Sequence, residues 1–101
     1  MTDQATKHNQ GKLKWSLLVT DLADELTEIV EVLNHGAEKY GARNWRQPLP
    51  EDFFFTDAIY RHIVEYSRGS KIDQESKKRH LAHIVCNCLF QMWHDDNGGK
   101  R

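Results

Sequence analysis

The chain has 101 residues, which is enough for one domain with its own core and close to the size at which small domains gain stability by oligomerising. Hydrophobic residues make up 39% and aromatic residues 10%, proportions that argue against an intrinsically disordered chain. The net charge is −1 with acidic and basic residues interspersed, so we expect neither a nucleic-acid polymer nor a membrane as partner.

No apolar run is long enough to span a bilayer, and the polar N-terminus lacks the apolar core of a signal peptide. We therefore expect a soluble intracellular protein that forms a single domain over residues 1–101. Its ends, residues 1–8 and 95–101, are expected to be flexible.

The first motif is N-x-G-K-x-K-W, from Asn9 to Trp15. Gly11 and Lys12 could bring backbone amides and an ammonium group to a phosphate. The segment lacks the second glycine and the following Ser or Thr of a phosphate-binding loop, so a solvated basic segment is the alternative interpretation.

A first long helix is predicted from about Ser16–Thr20 to His35, with Gly36 as its end. Its apolar residues recur with the period of an amphipathic helix, at Leu18, Leu22, Leu26, Ile29 and Leu33. Asp21 and Asp24, on the other side, are expected to face solvent. Glu28 and Glu31 could hold a divalent ion or could simply be solvated, and both interpretations stay open.

The segment Gly41–Asp52 contains two prolines and is predicted to be a loop. Asn44 and Trp45 within it are suited to a nucleotide base, the first to hydrogen-bond its edge and the second to stack on it. The arginines of the loop, Arg43 and Arg46, could bind phosphate oxygens. The alternative for the tryptophan is that it pins the loop to the core.

A second helix is predicted from Asp52–Thr56 to about Arg68, and Gly69 ends it. Its buried side is expected to consist of Phe54, Ala58, Ile59, Ile63 and Tyr66. A third helix follows, for which Ser76 is a candidate N-cap. Its residues His80, His83 and Asn87 share one face, while nearly every other side is apolar. We therefore expect this helix to be buried and its polar stripe to face the interior. The two cysteines, Cys86 and Cys88, point to opposite faces and are read as buried thiols.

If the second and third helices pack antiparallel, His62 and Glu65 can face His80 and His83, with Asp73 and Glu75 at one end. This donor set suits Mn²⁺, Zn²⁺ or Fe²⁺ better than Mg²⁺. The alternative is that the histidines are hydrogen-bonded core residues without a metal.

Five motifs in this order resemble the bacteriophage proteins called dATP/dGTP diphosphohydrolases, which are related in fold to the MazG-like nucleoside triphosphate pyrophosphohydrolases. The motifs are N-x-G-K-x-K-W-x-L from Asn9, G-A-x-K-Y-G-x-R-N-W from Gly36, R-H at Arg61 and His62, G-x-x-x-D-x-E from Gly69, and H-L-x-H-x-x-x-N from His80. The resemblance implies an all-α fold, here a small bundle of three to four main helices with a long loop between helices one and two. It also implies homo-oligomers and hydrolysis of a purine (deoxy)nucleoside triphosphate, such as dATP or dGTP, to monophosphate and pyrophosphate. The cofactor would be a divalent metal, Mg²⁺ or Mn²⁺ with Zn²⁺ as the alternative. The protein would be located in the cytoplasm of an infected or lysogenic bacterial host.

Together, the residue patterns and the resemblance select three overlapping groups of site residues. The catalytic group is His62, Asp73, Glu75, His80 and His83. The substrate-binding group is Gly11, Lys12, Lys39, Tyr40, Asn44, Trp45, Arg61 and Asn87. The metal ligands are drawn from Glu28, Glu31, His62, Asp73, His80 and His83.

The chain departs from the MazG-like acidic pattern, in which Glu-x-x-Glu on one helix is joined by Glu-x-x-Asp on the next. Only Glu25-x-x-Glu28-x-x-Glu31 supplies the first half. Two hypotheses follow: a metal-dependent diphosphohydrolase, or a phage protein that binds a nucleotide without cleaving it and so sequesters a signal of host defence.

Overall fold

The computed structural model describes residues 10–98, and the secondary structure of this part of the chain is helical. Its helices are α1 (Ser16–Val19), α2 (Ala23–Tyr40), α3 (Phe54–Ser67) and α4 (His80–Asp96), with a 3-10 turn at Asn44–Arg46. The predicted all-α class is confirmed. The predicted flexible end at residues 1–8 lies outside the described residues, as do 99–101. None of the described helices is both long and apolar enough to cross a membrane.

The first predicted helix is in fact two helices, and its predicted end is wrong. The chain leaves helical geometry at Leu22, after the weak helix formers Val19, Thr20 and Asp21. Gly36 then lies inside α2, which continues to Tyr40 and ends at Gly41, where φ is 96°. Only a residue without a Cβ adopts that conformation easily, so Gly41 ends the helix.

Helix α3 begins and ends close to its predicted bounds, and Gly69 follows it with φ of 97°. Its buried side was predicted less well. Phe55 is the residue buried on α3, whereas the predicted core residues Phe54, Ile63 and Tyr66 are 40–42% exposed.

Helix α4 begins at His80, four residues after the predicted N-cap Ser76. Residues 70–79 form a tight loop instead, closed by an antiparallel bridge between Ile72 and Arg79 and by a hydrogen bond from the His80 N–H to the Lys71 carbonyl. The helix continues through Asp95 and Asp96, where a flexible tail was expected.

The core is small and centres on α4, which packs against both α2 and α3. Val32, Ala82 and Cys86 form its buried part, with Ile29, Leu33 and Phe90 packed around them. Burial raises the pKa of the Cys86 thiol to about 11. Cys88 is exposed, contrary to prediction, because it lies on the side of α4 that neither neighbouring helix covers.

Candidate functional site

A cavity of about 890 Å³ opens between the C-terminal half of α2, the connection at 41–50, and the facing sides of α3 and α4. It falls within the size range of small-molecule sites and can accommodate a nucleotide. Ten of the predicted site residues line it: Lys39, Tyr40, Asn44, Trp45, Arg61, His62, Asp73, Glu75, His83 and Asn87.

Of the five other predicted site residues, His80 contacts His62 without lining the cavity, and four lie elsewhere. Gly11 and Lys12 are exposed on the N-terminal segment and do not line the cavity. Glu28 accepts hydrogen bonds from the backbone N–H and the Nε of Arg79, at 2.6 and 2.7 Å, and Glu31 pairs with Lys78 at 3.2 Å. The hydrogen bond from the Arg79 backbone is the main cause that lowers the pKa of Glu28. These two acids therefore neutralise the basic run before α4.

Three histidines meet where α3 packs against the start of α4. The Nδ1 atoms of His62 and His80 lie 2.8 Å apart, and the rings of His62 and His83 stack with centroids 4.7 Å apart. His80 is 4% exposed, and its Nε2 lies 3.3 Å from the Ser70 hydroxyl. One turn of helix separates His80 from His83, which places both rings on the side of α4 that faces His62.

Asp73 joins this group through the tight loop. Its Oδ2 accepts hydrogen bonds from both the N–H and the hydroxyl of Ser76, each at 2.9 Å, and lies 3.6 Å from His83 Nε2. Burial would raise the pKa of Asp73, but the two hydrogen bonds from Ser76 lower it below its ordinary value. Asp73 is therefore ionised at neutral pH.

The hydrogen bonds fix which ring nitrogen of His83 carries the proton. The Ser76 hydroxyl donates its only proton to Asp73, so it acts as an acceptor toward His83 Nε2, which lies 2.6 Å away. His83 therefore carries its proton on Nε2, and the lone pair is on Nδ1. Burial is the main cause that lowers the pKa of both His62 and His83. For His62, the neighbouring rings of His83 and His80 lower it further. A lowered pKa favours the neutral ring, which is the form that can act as a ligand or a base.

His62, Asp73 and His80 together have the chemistry of a divalent-metal site. Each offers one ligand atom, and these atoms lie within 4.8 Å of one another. Two imidazoles and a carboxylate suit Zn²⁺, Mn²⁺ or Fe²⁺. Among the described residues this is the group of His, Cys, Asp and Glu side chains compact enough to hold one ion. Glu65, which sequence spacing placed beside His62, instead lies 3.8 Å from Arg68 and stays exposed.

The cavity also has a charged rim. Lys39 on α2 and Glu75 in the tight loop form an ion pair there, and this pairing raises the pKa of Lys39 and lowers that of Glu75. Arg61 lines the same cavity, as does Arg43, which adopts the left-handed φ of 61°. Three cations, Lys39, Arg43 and Arg61, therefore line the cavity.

Trp45 is part of an aromatic cluster at the other end of the cavity. Its ring stacks on Phe90 with centroids 4.9 Å apart and contacts the edge of Trp93. The Trp45 carbonyl accepts a hydrogen bond from His94 Nε2 at 2.6 Å, and His94 is 3% exposed. These contacts fix the 3-10 turn on α4, and Asn44 and Tyr40 remain exposed beside it.

Sequence reasoning missed two residues of this site. Ser76 organises Asp73 and His83, and His94 anchors the loop. The Asp73-x-x-Ser76 spacing, in which an aspartate accepts from a backbone N–H three residues on, was a usable signal for the first. Nothing in the local sequence indicated that His94 would reach a carbonyl 49 residues away.

Comparison with known proteins adds independent information. The family model described as dATP/dGTP diphosphohydrolase, N-terminal, matches residues 2–101. The chain belongs to this family. A protein of Salmonella phage PMBT28 named dATP/dGTP diphosphohydrolase is 30% identical to it over 87 residues. That alignment covers 86% of this chain but 28% of the phage protein, so the chain spans under a third of that relative's length. No solved structure gives a significant match.

The family assignment confirms the resemblance to the phage dATP/dGTP diphosphohydrolases, while the relation to the MazG-like proteins stays a prediction. The matched range includes the residues that line the cavity and form the histidine cluster.

Proposed function

We propose that this protein is a metal-dependent diphosphohydrolase that converts a purine (deoxy)nucleoside triphosphate, such as dATP or dGTP, to its monophosphate and pyrophosphate. The observation that carries the proposal is the convergence of His62, Asp73 and His80, two of which, His62 and Asp73, line a nucleotide-sized cavity. The name of the phage relative supports the same substrate class.

In this proposal, His62, Asp73 and His80 hold the metal, and Glu28 and Glu31 do not, because Arg79 and Lys78 already neutralise them. When bound, a divalent ion would polarise a phosphoryl oxygen and lower the pKa of a water molecule. His83 lies next to this group as a neutral base that can accept a proton from the attacking water.

The cations of the rim would bind the triphosphate. Arg61 and Arg43 can each donate two hydrogen bonds to phosphate oxygens, and Lys39 can exchange its partner Glu75 for a phosphate. The purine would then lie toward Tyr40 and Asn44, which are exposed beside the anchored Trp45 turn. In this arrangement the phosphates are near the histidines and the base is near the aromatic cluster.

The first experiment is a metal titration followed by thermal unfolding and calorimetry. We expect Mn²⁺ or Zn²⁺ to raise the melting temperature of the wild type, because an ion that binds only the folded state stabilises it. Asp73→Asn should abolish this rise. Glu31→Gln is the matched control, since it neutralises an acid outside the cluster. A rise that persists in Asp73→Asn but disappears in Glu31→Gln would contradict this metal site.

The second experiment measures turnover. A panel of nucleoside triphosphates is incubated with the protein and Mn²⁺, Mg²⁺ or Zn²⁺, and pyrophosphate release is measured. We expect purine deoxynucleotides to be cleaved, and His83→Gln to lower the rate by a factor of about 100 or more, which is typical for loss of a general base. Absence of turnover with every metal and nucleotide would reject the enzyme.

One observation favours a second candidate, a protein that binds a nucleotide without cleaving it. The metal group contains a single carboxylate, because Glu28 and Glu31 are paired with basic residues. For this candidate, calorimetry should show tight nucleotide binding that EDTA does not affect, with the ligand recovered intact. Recovery of a cleaved product would exclude it.

A further inference from the structure

Phe54, the first residue of α3, is an aromatic side chain whose exposure the fold does not explain. The apolar period of the sequence predicts it in the core, yet it is 40% exposed and lines the cavity. Its neighbour Phe55 is 6% exposed and supplies the core contact instead. Contact between a phenyl ring and water is unfavourable, and burial of the ring against a ligand removes that cost. Phe54 is therefore a candidate ligand contact.

Three other aromatic rings of the cavity wall already contact groups of the chain. Phe90 is stacked on Trp45, and the Arg46 guanidinium lies over the Trp45 ring, 5.1 Å from its centroid. Tyr40 has the Lys39 ammonium over its ring, also 5.1 Å from the centroid. A base that stacked on one of these rings would compete with a cation or with another ring.

Among the described residues, Phe54 has a ring face that no other aromatic ring covers. Its ring contact is with Phe55, at a centroid distance of 5.2 Å and an interplanar angle of 79°. In such an edge-to-face pair, at least one face of each ring stays uncovered by the other ring. A purine can therefore stack on Phe54 without displacing an aromatic side chain.

Phe54 lies at the end of the cavity away from the histidine cluster. Phe55, next to it, contacts Phe90 in the second half of α4, with centroids 5.3 Å apart. His62, by contrast, contacts the start of α4 through His80. Seven residues separate Phe55 from His62 on α3, so the cavity has an aromatic end and a histidine end about 10 Å apart.

This separation fits the length of a nucleotide. Release of pyrophosphate breaks the bond between the α- and β-phosphates, so the α-phosphate has to lie at the metal ligands. The base is then held one sugar away, toward the aromatic end. Pro48, Leu49 and Pro50, which shortly precede Phe54 in the chain, also line the cavity, and none of them carries a charge. An uncharged apolar wall suits the flat face of a base and not its phosphates.

We propose that the purine base stacks on Phe54, which makes this residue a determinant of base binding that none of the five motifs contains. Trp45, the stacking residue that the sequence predicts, holds the 3-10 turn on α4 instead. A purine offers two fused rings to the stack, so Phe54 also favours purines over pyrimidines. The inference rests on the proposed function, because it takes the ligand to be a nucleotide.

The test is calorimetry of the full chain with Zn²⁺ and two ligands, a nonhydrolysable α,β-imido analogue of dATP and inorganic tripolyphosphate, which has no base. Phe54→Ala should weaken binding of the analogue by about tenfold or more, the effect typical for loss of one base stack, and leave tripolyphosphate binding unchanged. Phe54→Trp should retain binding of the analogue, since tryptophan also stacks. Phe53→Ala is the matched control, because Phe53 is 54% exposed and adjacent in the chain but does not line the cavity. Circular dichroism establishes that each variant keeps its helices.

Equal affinity of the wild type and Phe54→Ala for the analogue overturns the stack. A loss in Phe53→Ala as large as the loss in Phe54→Ala also overturns it, and so does a loss that is equal for the analogue and for tripolyphosphate. A wild type that binds neither ligand rejects the nucleotide function and the stack together. If the analogue binds but dATP is not hydrolysed, only the enzyme is rejected, and the comparison of the variants still decides the stack.

A measurement on the wild type keeps the test independent of the folding of any variant. In the complex with Zn²⁺ and the analogue, we expect intermolecular NOEs between the base protons and the Phe54 ring protons, in protein labelled at its four phenylalanines. NOEs from the base to the Trp45 ring, with none to Phe54, would overturn the proposal.

Discussion

Ser76 connects the two chemical parts of the candidate site. Its hydroxyl donates to Asp73, accepts from His83 and accepts from the backbone N–H of Lys78, at 2.9, 2.6 and 3.2 Å. A hydroxyl has one proton and two lone pairs, so all of its hydrogen-bonding capacity is used. Ser76 therefore sets the orientation of Asp73 and the tautomer of His83 at the same time.

Ser76→Ala should destabilise the protein by about 1–2 kcal/mol, because it leaves partly buried partners without their hydrogen bonds. It should also raise the pKa of Asp73, since one of the hydrogen bonds that lower this pKa is lost. Chemical denaturation measures the first effect and an NMR titration of Asp73 the second. Ser67→Ala, at an exposed position near the end of α3, is the control. Equal losses of stability in the two variants would show that the Ser76 network contributes nothing.

The same cluster predicts a pH dependence of the metal-free protein. The pKa values of His62 and His83 are lowered from 6.5 in the folded state, chiefly by burial. As the pH falls through this ordinary value, the unfolded chain binds protons that the folded chain does not, so the free energy of unfolding decreases. Asp73 also makes the free energy of unfolding fall as the pH falls, but only at more acidic pH. The reason is that its pKa is lowered from an ordinary value of 3.8.

Denaturation in EDTA between about pH 8 and pH 5 should therefore show stability falling most steeply around the ordinary histidine pKa. His62→Gln should reduce the slope, because this variant removes one of the two groups. A stability that stays constant or rises over this interval would contradict the burial of these rings.

Among the elements, α2 determines where the cavity ends. The helix ends at Gly41, and from there the chain continues into the connection at 41–50 that lines the cavity. Gly41 has φ of 96° and ψ of 145°, a conformation largely restricted to glycine. Gly36 lies in the same helix with ordinary helical geometry and with no atom within 4 Å of the place where a Cβ would be. The two glycines therefore have opposite roles in one helix.

Gly41→Ala should destabilise the protein by about 1–3 kcal/mol, since alanine is strained in that conformation. Gly36→Ala should stabilise it by about 0.5–1 kcal/mol, because alanine is the better helix former. Denaturation midpoints of the two variants test both signs together. Stabilisation by Gly41→Ala would mean that α2 does not end there.

At the scale of the whole molecule, α4 connects the parts of the site, because it packs against both α2 and α3. The buried residues Val32, Ala82 and Cys86 lie where α2 meets α4. The histidine cluster lies where α3 meets α4. The cavity is therefore bounded by elements that only their packing on α4 brings together.

The sequence alone determined the helical class, because the 3.6-residue period of apolar side chains and the positions of proline and glycine depend on local geometry. Local patterns likewise predicted the bounds of α3 and the resemblance to the phage dATP/dGTP diphosphohydrolases. It was also predictable that His62 faces His80 and His83, since a short loop between two helices makes them antiparallel.

Only the tertiary structure decided which of the polar residues meet. Glu28 and Glu31 are placed beside Arg79 and Lys78, about 50 residues further along the chain, and Gly11 and Lys12 are placed away from the cavity. The sequence also indicated that the apolar α4 would be buried, whereas the single chain leaves Leu81, Val85, Leu89 and Met92 exposed. Periodicity shows which residues share a face of a helix. What that face contacts depends on long-range packing, within the chain or between two copies of it.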